Sequence, residues 1–305
     1  MELTFLGTSA GVPTRERNVS ALALRFSGSR GWLLFDCGEG TQHRILRSSL
    51  SLYTLEKIFI THLHGDHVYG LWGLLASRGM LLCETPLELY GPPGLRELVE
   101  GVWRLSRLTL PYDVEIRELS GGELLDFGGY TVRVLPLSHS ITCYGYCLAE
   151  AERPGRFDPE AARRLGISEG PLRGRLQRGE RVRLPDGKSV DPSEVLGPSR
   201  PGRRLAIAGD NDRPGLFASC APLDLLVHEA TYLQEDFDRL PRKFRHTTAL
   251  QLGRAATEMG VGHLVATHFS PRYGSEEDLR RIEEEIHRQY RGRLTLARDL
   301  LTLKL

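Results

Sequence analysis

The run Thr61-His62-Leu63-His64-Gly65-Asp66-His67 follows the apolar stretch Ile58-Phe59-Ile60, so three imidazoles and a carboxylate crowd into six positions just past a strand. Four such side chains on one turn are costly to pack unless a cation is shared among them. Neutral imidazole with carboxylate suits Zn²⁺ or Mn²⁺, whereas an all-oxygen set would suit Mg²⁺ or Ca²⁺. If the chain stays extended, His62 and His64 fall on one side. The turn at Gly65 then lets Asp66 and His67 point elsewhere, so one short motif can serve two adjacent ions.

Three more candidates sit at strand ends. His139 follows VRVLPLS, Asp210 ends LAIAGD, and His268 ends HLVATH. Alone, each reads as a turn or capping residue. Added to the His62–His67 cluster they make seven candidate ligands, enough for two three-ligand sites sharing a bridging carboxylate.

The first part of the chain alternates strand-like runs (Leu3 to Gly7, Ala21 to Phe26, Trp32 to Asp36, Lys57 to Thr61) with helical spacing at Thr41 to Leu50, Val68 to Ser77 and Pro93 to Leu105. Strands continue through Ala149, and a second strand-and-helix series runs from Arg204 to the closing LTLKL. This order predicts an α/β fold with two facing sheets and helices outside both. Between the series, Glu152 to Arg204 is rich in Pro and Gly and carries thirteen Arg and Lys against eight Asp and Glu, in a chain whose overall charge is only +1. On its own this insert reads as a solvated connector. Near-neutrality excludes a globally basic nucleic-acid binder, though not one whose positive charge is focused in one segment.

Five cysteines without a CxxC spacing read as reduced thiols. The N-terminus carries Glu2 where an export signal would want positive charge, and the most apolar stretch, Val68 to Cys83, is interrupted by Arg78. That stretch is also shorter than the roughly 20 residues a membrane span needs. A cytoplasmic protein without a membrane segment is expected.

HxHxDH after a strand, followed by a distant His, an Asp and a last His, resembles the ligand pattern of the metallo-β-lactamase superfamily. The segments FLGTSAGVPTRERN (5–18), DCGEGTQ (36–42), HEATY (228–232), HTTA (246–249) and THFSPRY (267–273) narrow the resemblance to the ribonuclease Z family of tRNA 3′-processing endoribonucleases. The resemblance spans almost the whole chain. It implies one four-layer αββα domain over residues 1–305, with residues 152–204 as an inserted, flexible, basic arm. It implies two Zn²⁺ per subunit, with Mn²⁺ as the alternative: one held by His62, His64 and His139, the second by Asp66, His67 and His268, with Asp210 bridging. Asp66 would also orient or deprotonate the attacking water, and Glu229 with His246 would assist the departing oxygen. Asp36 would brace the metal loop.

For substrate contacts the resemblance implies Arg15, Arg17 and Asn18, in a PxKxRN-like loop where Arg15 replaces the usual lysine. It adds Gly170, Pro171, Arg173 and Arg175 in the arm, and Arg272 in THFSPRY. Asn211 stands where threonine is frequent. Precursor tRNA as substrate and a homodimer follow from the same resemblance. The rival expectations are a relative hydrolysing small phosphodiesters or other esters, and an RNA-binding protein with a merely structural metal site. A redox di-iron member of the fold is disfavoured, because that lineage usually has Glu where His64 stands.

Overall fold

The computed structural model describes residues 1–152 and 154–305; Arg153, one of the insert's cations, lies outside the described residues. Two compact units are distinguished: Met1–Leu125, Val132–Leu148 and Arg204–Leu305 form the first, and Asp126–Thr131 with Ala149–Arg203 the second.

The chain opens with β1 (Glu2–Gly7), β2 (Ala21–Arg25) and β3 (Trp32–Phe35), followed by α1 (Thr41–Ile45), β4 (Leu55–Phe59), α2 (Gly65–Val68), α3 (Leu71–Met80), β5 (Leu87–Gly91), α4 (Leu95–Ser106) and β6 (Val114–Glu118). From β3 onward the strands run parallel. Parallel strands are covered on both faces and must be apolar on both. Thus Trp32, Leu34, Ile58 and Leu89 pack with Leu71, Leu74, Leu75, Leu95 and Val99 on the helix side. The alternate residues Phe35 and Phe59 stack at 5.2 Å on the other face, where Phe59 meets the edge of Tyr146. The helix expected over Thr41 to Leu50 stops at Ile45, where the Ser48 hydroxyl takes the Ile45 carbonyl and competes with the next helical turn.

Next come β7 (Leu124–Asp126), β8 (Tyr130–Pro136) and β9 (Tyr144–Glu150), then α5 (Pro159–Arg164), α6 (Pro171–Gln177) and the hairpin of β10 (Val182–Arg183) with β11 (Ser189–Val190). The second unit has a core of its own, in which Ala162, Ile167, Leu176, Val182, Val190 and Val195 are buried. Asp158 caps α5 by accepting from Glu160 and Ala161 N–H groups. The connector reading of this insert is therefore replaced by a small folded unit, because its apolar residues are spaced to meet.

The remaining elements are β12 (Arg204–Ile207), β13 (Leu225–Glu229), α7 (Gln234–Arg239), α8 (Ala249–Glu258), β14 (His263–Thr267), α9 (Glu276–His287), β15 (Arg293–Leu296) and β16 (Thr302–Lys304). The sheets run β16-β1-β2-β3-β4-β5-β6 and β15-β14-β13-β12-β9-β8-β7. Strands β12 to β15 are parallel, and α8 and α9 cover their outer face through Leu252, Ala256, Ile282 and Ile286. Two expectations change here. β15, unread in the sequence, takes the edge of the second sheet, while LTLKL leaves the second series and pairs antiparallel with β1. Alternation alone does not say which edge a three-residue strand will close.

The cysteine reading is also corrected. Cys147 on β9 and Cys220, at the end of the 3₁₀ segment Pro214–Cys220, form a disulfide across 73 residues; Cys37, Cys83 and Cys143 are free and buried. The pair is joined by the fold and has no local spacing signal. Among the described residues no helix is long and apolar enough to cross a membrane.

Candidate metal centre

Strands running parallel end on the same edge, and the ends of β4, β12, β13 and β14 deliver His62, Asp210, Glu229 and His268 to one place. Gly209 permits this approach. A Cβ there would lie 2.6 Å from Thr61 Cβ and 2.7 Å from Cys143 Sγ, so no larger residue fits unless the two strand ends separate. His139, in the β8–β9 turn, arrives from the second sheet.

The seven candidate ligands gather into two groups that meet at Asp210. Its Oδ2 faces His62 Nε2 at 3.8 Å and His139 Nε2 at 3.9 Å, with His64 Nδ1 3.2 Å from His139 Nε2. Its Oδ1 faces His67 Nε2 at 3.4 Å and His268 Nε2 at 3.3 Å, and Asp66 Oδ2 lies 3.4 Å from both of these nitrogens. Ligands bonded tetrahedrally to zinc at about 2.0–2.1 Å are spaced by roughly 3.3 Å, so these separations match such a donor set. His62 is fully buried, and its Nε2 has no hydrogen-bond partner. An orphaned imidazole nitrogen aimed at a carboxylate fits a cation and is costly without one. The donors present therefore fit a pair of divalent ions of the zinc type.

Each outer ring nitrogen is held in turn. His62 Nδ1 lies 3.0 Å from the Thr61 hydroxyl, His139 Nδ1 donates to the Arg245 carbonyl at 3.0 Å, and His268 Nδ1 lies 3.2 Å from the Thr231 hydroxyl. Asp36 takes a left-handed backbone (φ 58°) at the end of β3. Its carboxylate accepts from Thr61 N–H (2.7 Å), Thr61 O–H (2.9 Å) and His67 Nδ1 (2.7 Å), tying together the two ends of the metal loop. Asp36→Asn removes the charge that orients His67 and is expected to weaken divalent-metal affinity by roughly 10–100-fold. Competition against a chromophoric chelator measures this, and unchanged affinity would show that the ring does not depend on Asp36.

Two backbone bonds bring HEATY beside HTTA: Thr231 N–H donates to Thr247 C=O at 3.1 Å, and Ala249 N–H to Tyr232 C=O at 2.8 Å. His246 Nδ1 thereby reaches Glu229 Oε2 at 3.0 Å. The same carboxylate receives the Thr231 O–H on Oε2 and the Asn211 N–H on Oε1. Burial raises the Asp210 pKa, but the imidazoles of His268, His67 and His62 outweigh it and hold the carboxyl well below its ordinary value. Burial and the neighbouring His67 keep His62 well below the ordinary histidine value. At His246 burial lowers the pKa, yet Glu229 and Asp210 reverse this and lift it to about 9.

A pocket of about 330 Å³ opens onto the cluster, lined by Gly11, His64, Asp66, His139, Asp210, His246 and His268 together with Ser140 and Arg242–Arg245. Among the expected substrate residues, Arg15 is exposed. The Arg17 guanidinium is spent inside the fold, on the Thr8 hydroxyl and the Ala297 carbonyl and over the Phe269 ring. The Asn18 amide donates to the Glu39 carbonyl, and Arg272 stacks 5.2 Å from the Tyr232 ring centroid. In the second unit Gly170 precedes α6 and Pro171 begins it. Arg173 turns to the Ile167 carbonyl and Glu169, while Arg175 and Arg178 share Glu180. The bracing roles of Thr61 and Thr231 lay inside motifs already visible in the sequence. Those of Arg245 and the whole Arg242–Arg245 wall had no such signal.

The chain is 46% identical to ribonuclease Z of Brevibacillus brevis over 91% of its length and 87% of the relative's, and 46% identical to ribonuclease BN of Cronobacter sakazakii over 93% and 94%. It belongs to the ribonuclease Z family. The crystal structure of the short form of human tRNase Z superposes with a TM-score of 0.69 at 27% identity, covering 100% of this chain and 99% of that one. The metallo-β-lactamase fold protein YhfI of Bacillus subtilis gives 0.66 at 18% identity, over 99% and 98%, which bears on the fold alone. A family profile described as Anti-Pycsar protein Apyc1 matches residues 1–148. Like its ribonuclease Z relatives, this chain is a metal-dependent nuclease of the metallo-β-lactamase fold.

Proposed function

We propose that this chain removes the 3′ trailer from precursor tRNA by hydrolysing the phosphodiester after the discriminator base, leaving a 3′-hydroxyl on the tRNA and a 5′-phosphate on the trailer. The observation that carries the reading is the placement of the Glu229–His246 pair beside two donor groups that share Asp210. His62, His64 and His139 would hold one zinc, and Asp66, His67 and His268 the other, with Asp210 between them. When bound, such a pair of ions makes water nucleophilic near neutral pH and offsets charge on phosphate oxygens.

The chain's own residues supply the rest. Asp66, anchored by the Gly11 N–H at 2.8 Å, orients the attacking water. His246 has Nδ1 committed to Glu229, so the proton it can deliver to the departing 3′-oxygen is carried on Nε2. Asp210, Asp66 and Glu229 also line the place where phosphate charge must sit, which is why neutralising ions suit this site better than exposed lysines would. The basic arm of residues 152–204, including Gly170, Pro171, Arg173 and Arg175, grips the tRNA body through phosphates, with Arg15 and Arg272 at the 3′ end, and recognition is of tRNA shape. The working form is a cytoplasmic homodimer.

Incubation with a 3′-extended precursor tRNA and with its mature CCA-ending form, with and without chelator, tests the reading. The expected result is one chelator-sensitive cut after the discriminator. No cut, with bis(p-nitrophenyl) phosphate still hydrolysed, would move the assignment to small phosphodiesters.

A further inference from the structure

One wall of the metal pocket is unused by the chemistry above. Arg242, Lys243, Phe244 and Arg245 form a turn directly before His246, and all four line the pocket. Phe244 is 48% exposed; of the ten phenylalanines it alone is exposed among the described residues. Arg242 sits with its guanidinium 6.0 Å from the Phe244 ring centroid, and neither Arg242 nor Lys243 pairs with a carboxylate among the described residues. The turn is pinned. Arg245 donates to the His139 carbonyl at 2.9 Å while its own carbonyl takes His139 Nδ1, and His246 N–H returns to the Phe244 carbonyl at 3.0 Å. Phe244 is thus fixed to His139 on one side and to the proton-bearing His246 on the other.

An aromatic face held in water beside two unneutralised cations, on the wall of a pocket made for a phosphodiester, has the composition of a single-stranded nucleic-acid platform: ring for base, cations for backbone. We propose that Phe244 stacks on the base of the nucleotide whose 3′-oxygen departs, and that Arg242 and Lys243 hold the phosphates flanking it. The side of the cut follows from His246, which serves the departing oxygen and is tied to Phe244. The assignment rests on the tRNA-processing reading for which base is meant, while the subsite itself is testable without cleavage.

Binding of a fluorescently labelled six-nucleotide RNA to the zinc-loaded protein is measured by anisotropy. Phe244→Ala weakens it by about tenfold, Phe244→Trp restores it and Phe244→Leu does not. Arg242→Ala combined with Lys243→Ala lowers the slope of log affinity against log salt by about 1. In precursor tRNA, an abasic discriminator costs the wild type about tenfold in kcat/KM and costs Phe244→Ala no further loss. Equal binding by wild type and Phe244→Ala, equal rescue by Leu and Trp, or independent losses from the abasic site and the variant each overturn the proposal. Phe244-dependent RNA binding by a protein that cuts no precursor tRNA would uphold the subsite and remove the tRNA reading.

Discussion

Asp210→Ala abolishes turnover of 3′-extended tRNA and leaves each chain with fewer than two tightly held metal ions, while tRNA binding by the rest of the protein survives. The reason is the division of labour within one carboxylate, whose Oδ2 faces the His62 and His139 nitrogens while Oδ1 faces those of His67 and His268. No neighbouring group can replace both oxygens: Glu229 spends its carboxylate on His246, Thr231 and Asn211. Charge stabilisation by bound ions is worth several kcal/mol at a phosphoryl centre, and about 4 kcal/mol is already about 10³-fold in rate. The loss should therefore be roughly 10³-fold or more. Metal analysis on the purified variant, beside cleavage and tRNA-binding assays, checks each part. A variant that keeps two ions and cuts normally would remove Asp210 from the centre. A variant that simply unfolds when the ions are lost would favour the rival in which the metal is structural.

The sequence shows the ligands far more clearly than what orients them. His62, His64, Asp66 and His67 are legible because they are neighbours in the chain. His139, Asp210 and His268 become legible as ends of apolar strands, since parallel strands must finish on a common edge. The bracing atoms follow no such rule. The carbonyl that fixes His139 belongs to Arg245, 106 residues away, and a backbone acceptor leaves no mark on residue identity. Arg17 shows the converse. It has the right charge and lies in the right motif, yet its guanidinium is satisfied within the fold by Thr8 and Ala297, a choice made by side-chain direction, which spacing does not encode.

The same distinction explains the fold. The facing sheets follow from two series of apolar strands with helical spacing between them, a pattern set by what each face must bury. Which sheet the last three residues join, and which cysteines pair across 73 positions, depend on where chain ends and turns arrive after the layers have formed. In the insert the thirteen cations dominate any charge count and hide the apolar set Ile167, Leu176, Val182 and Val190, which closes a core of its own.

His246→Ala should separate proton delivery from metal binding. His246 also lies near Asp210 and His268, close enough to be considered a ligand in its own right. Its nearer nitrogen, however, is Nδ1, which is 3.8 Å from Asp210 Oδ2 but 3.0 Å from Glu229 Oε2, so that nitrogen is engaged by the carboxylate behind it. Removing the ring should therefore leave two ions bound and slow tRNA cleavage by roughly 10²–10⁴-fold, the usual worth of a positioned general acid. The leaving group provides the decisive comparison. A 3′-alkoxide needs a proton as it departs, whereas p-nitrophenolate is stable without one, so bis(p-nitrophenyl) phosphate hydrolysis should fall much less than tRNA cleavage. Glu229→Gln should show the same pattern in milder form, because Asn211 and Thr231 can still engage the amide while the charge that keeps His246 protonated is gone. Loss of an ion from the His246 variant, or equal loss on both substrates, would assign His246 to the metal or to general positioning instead of proton transfer.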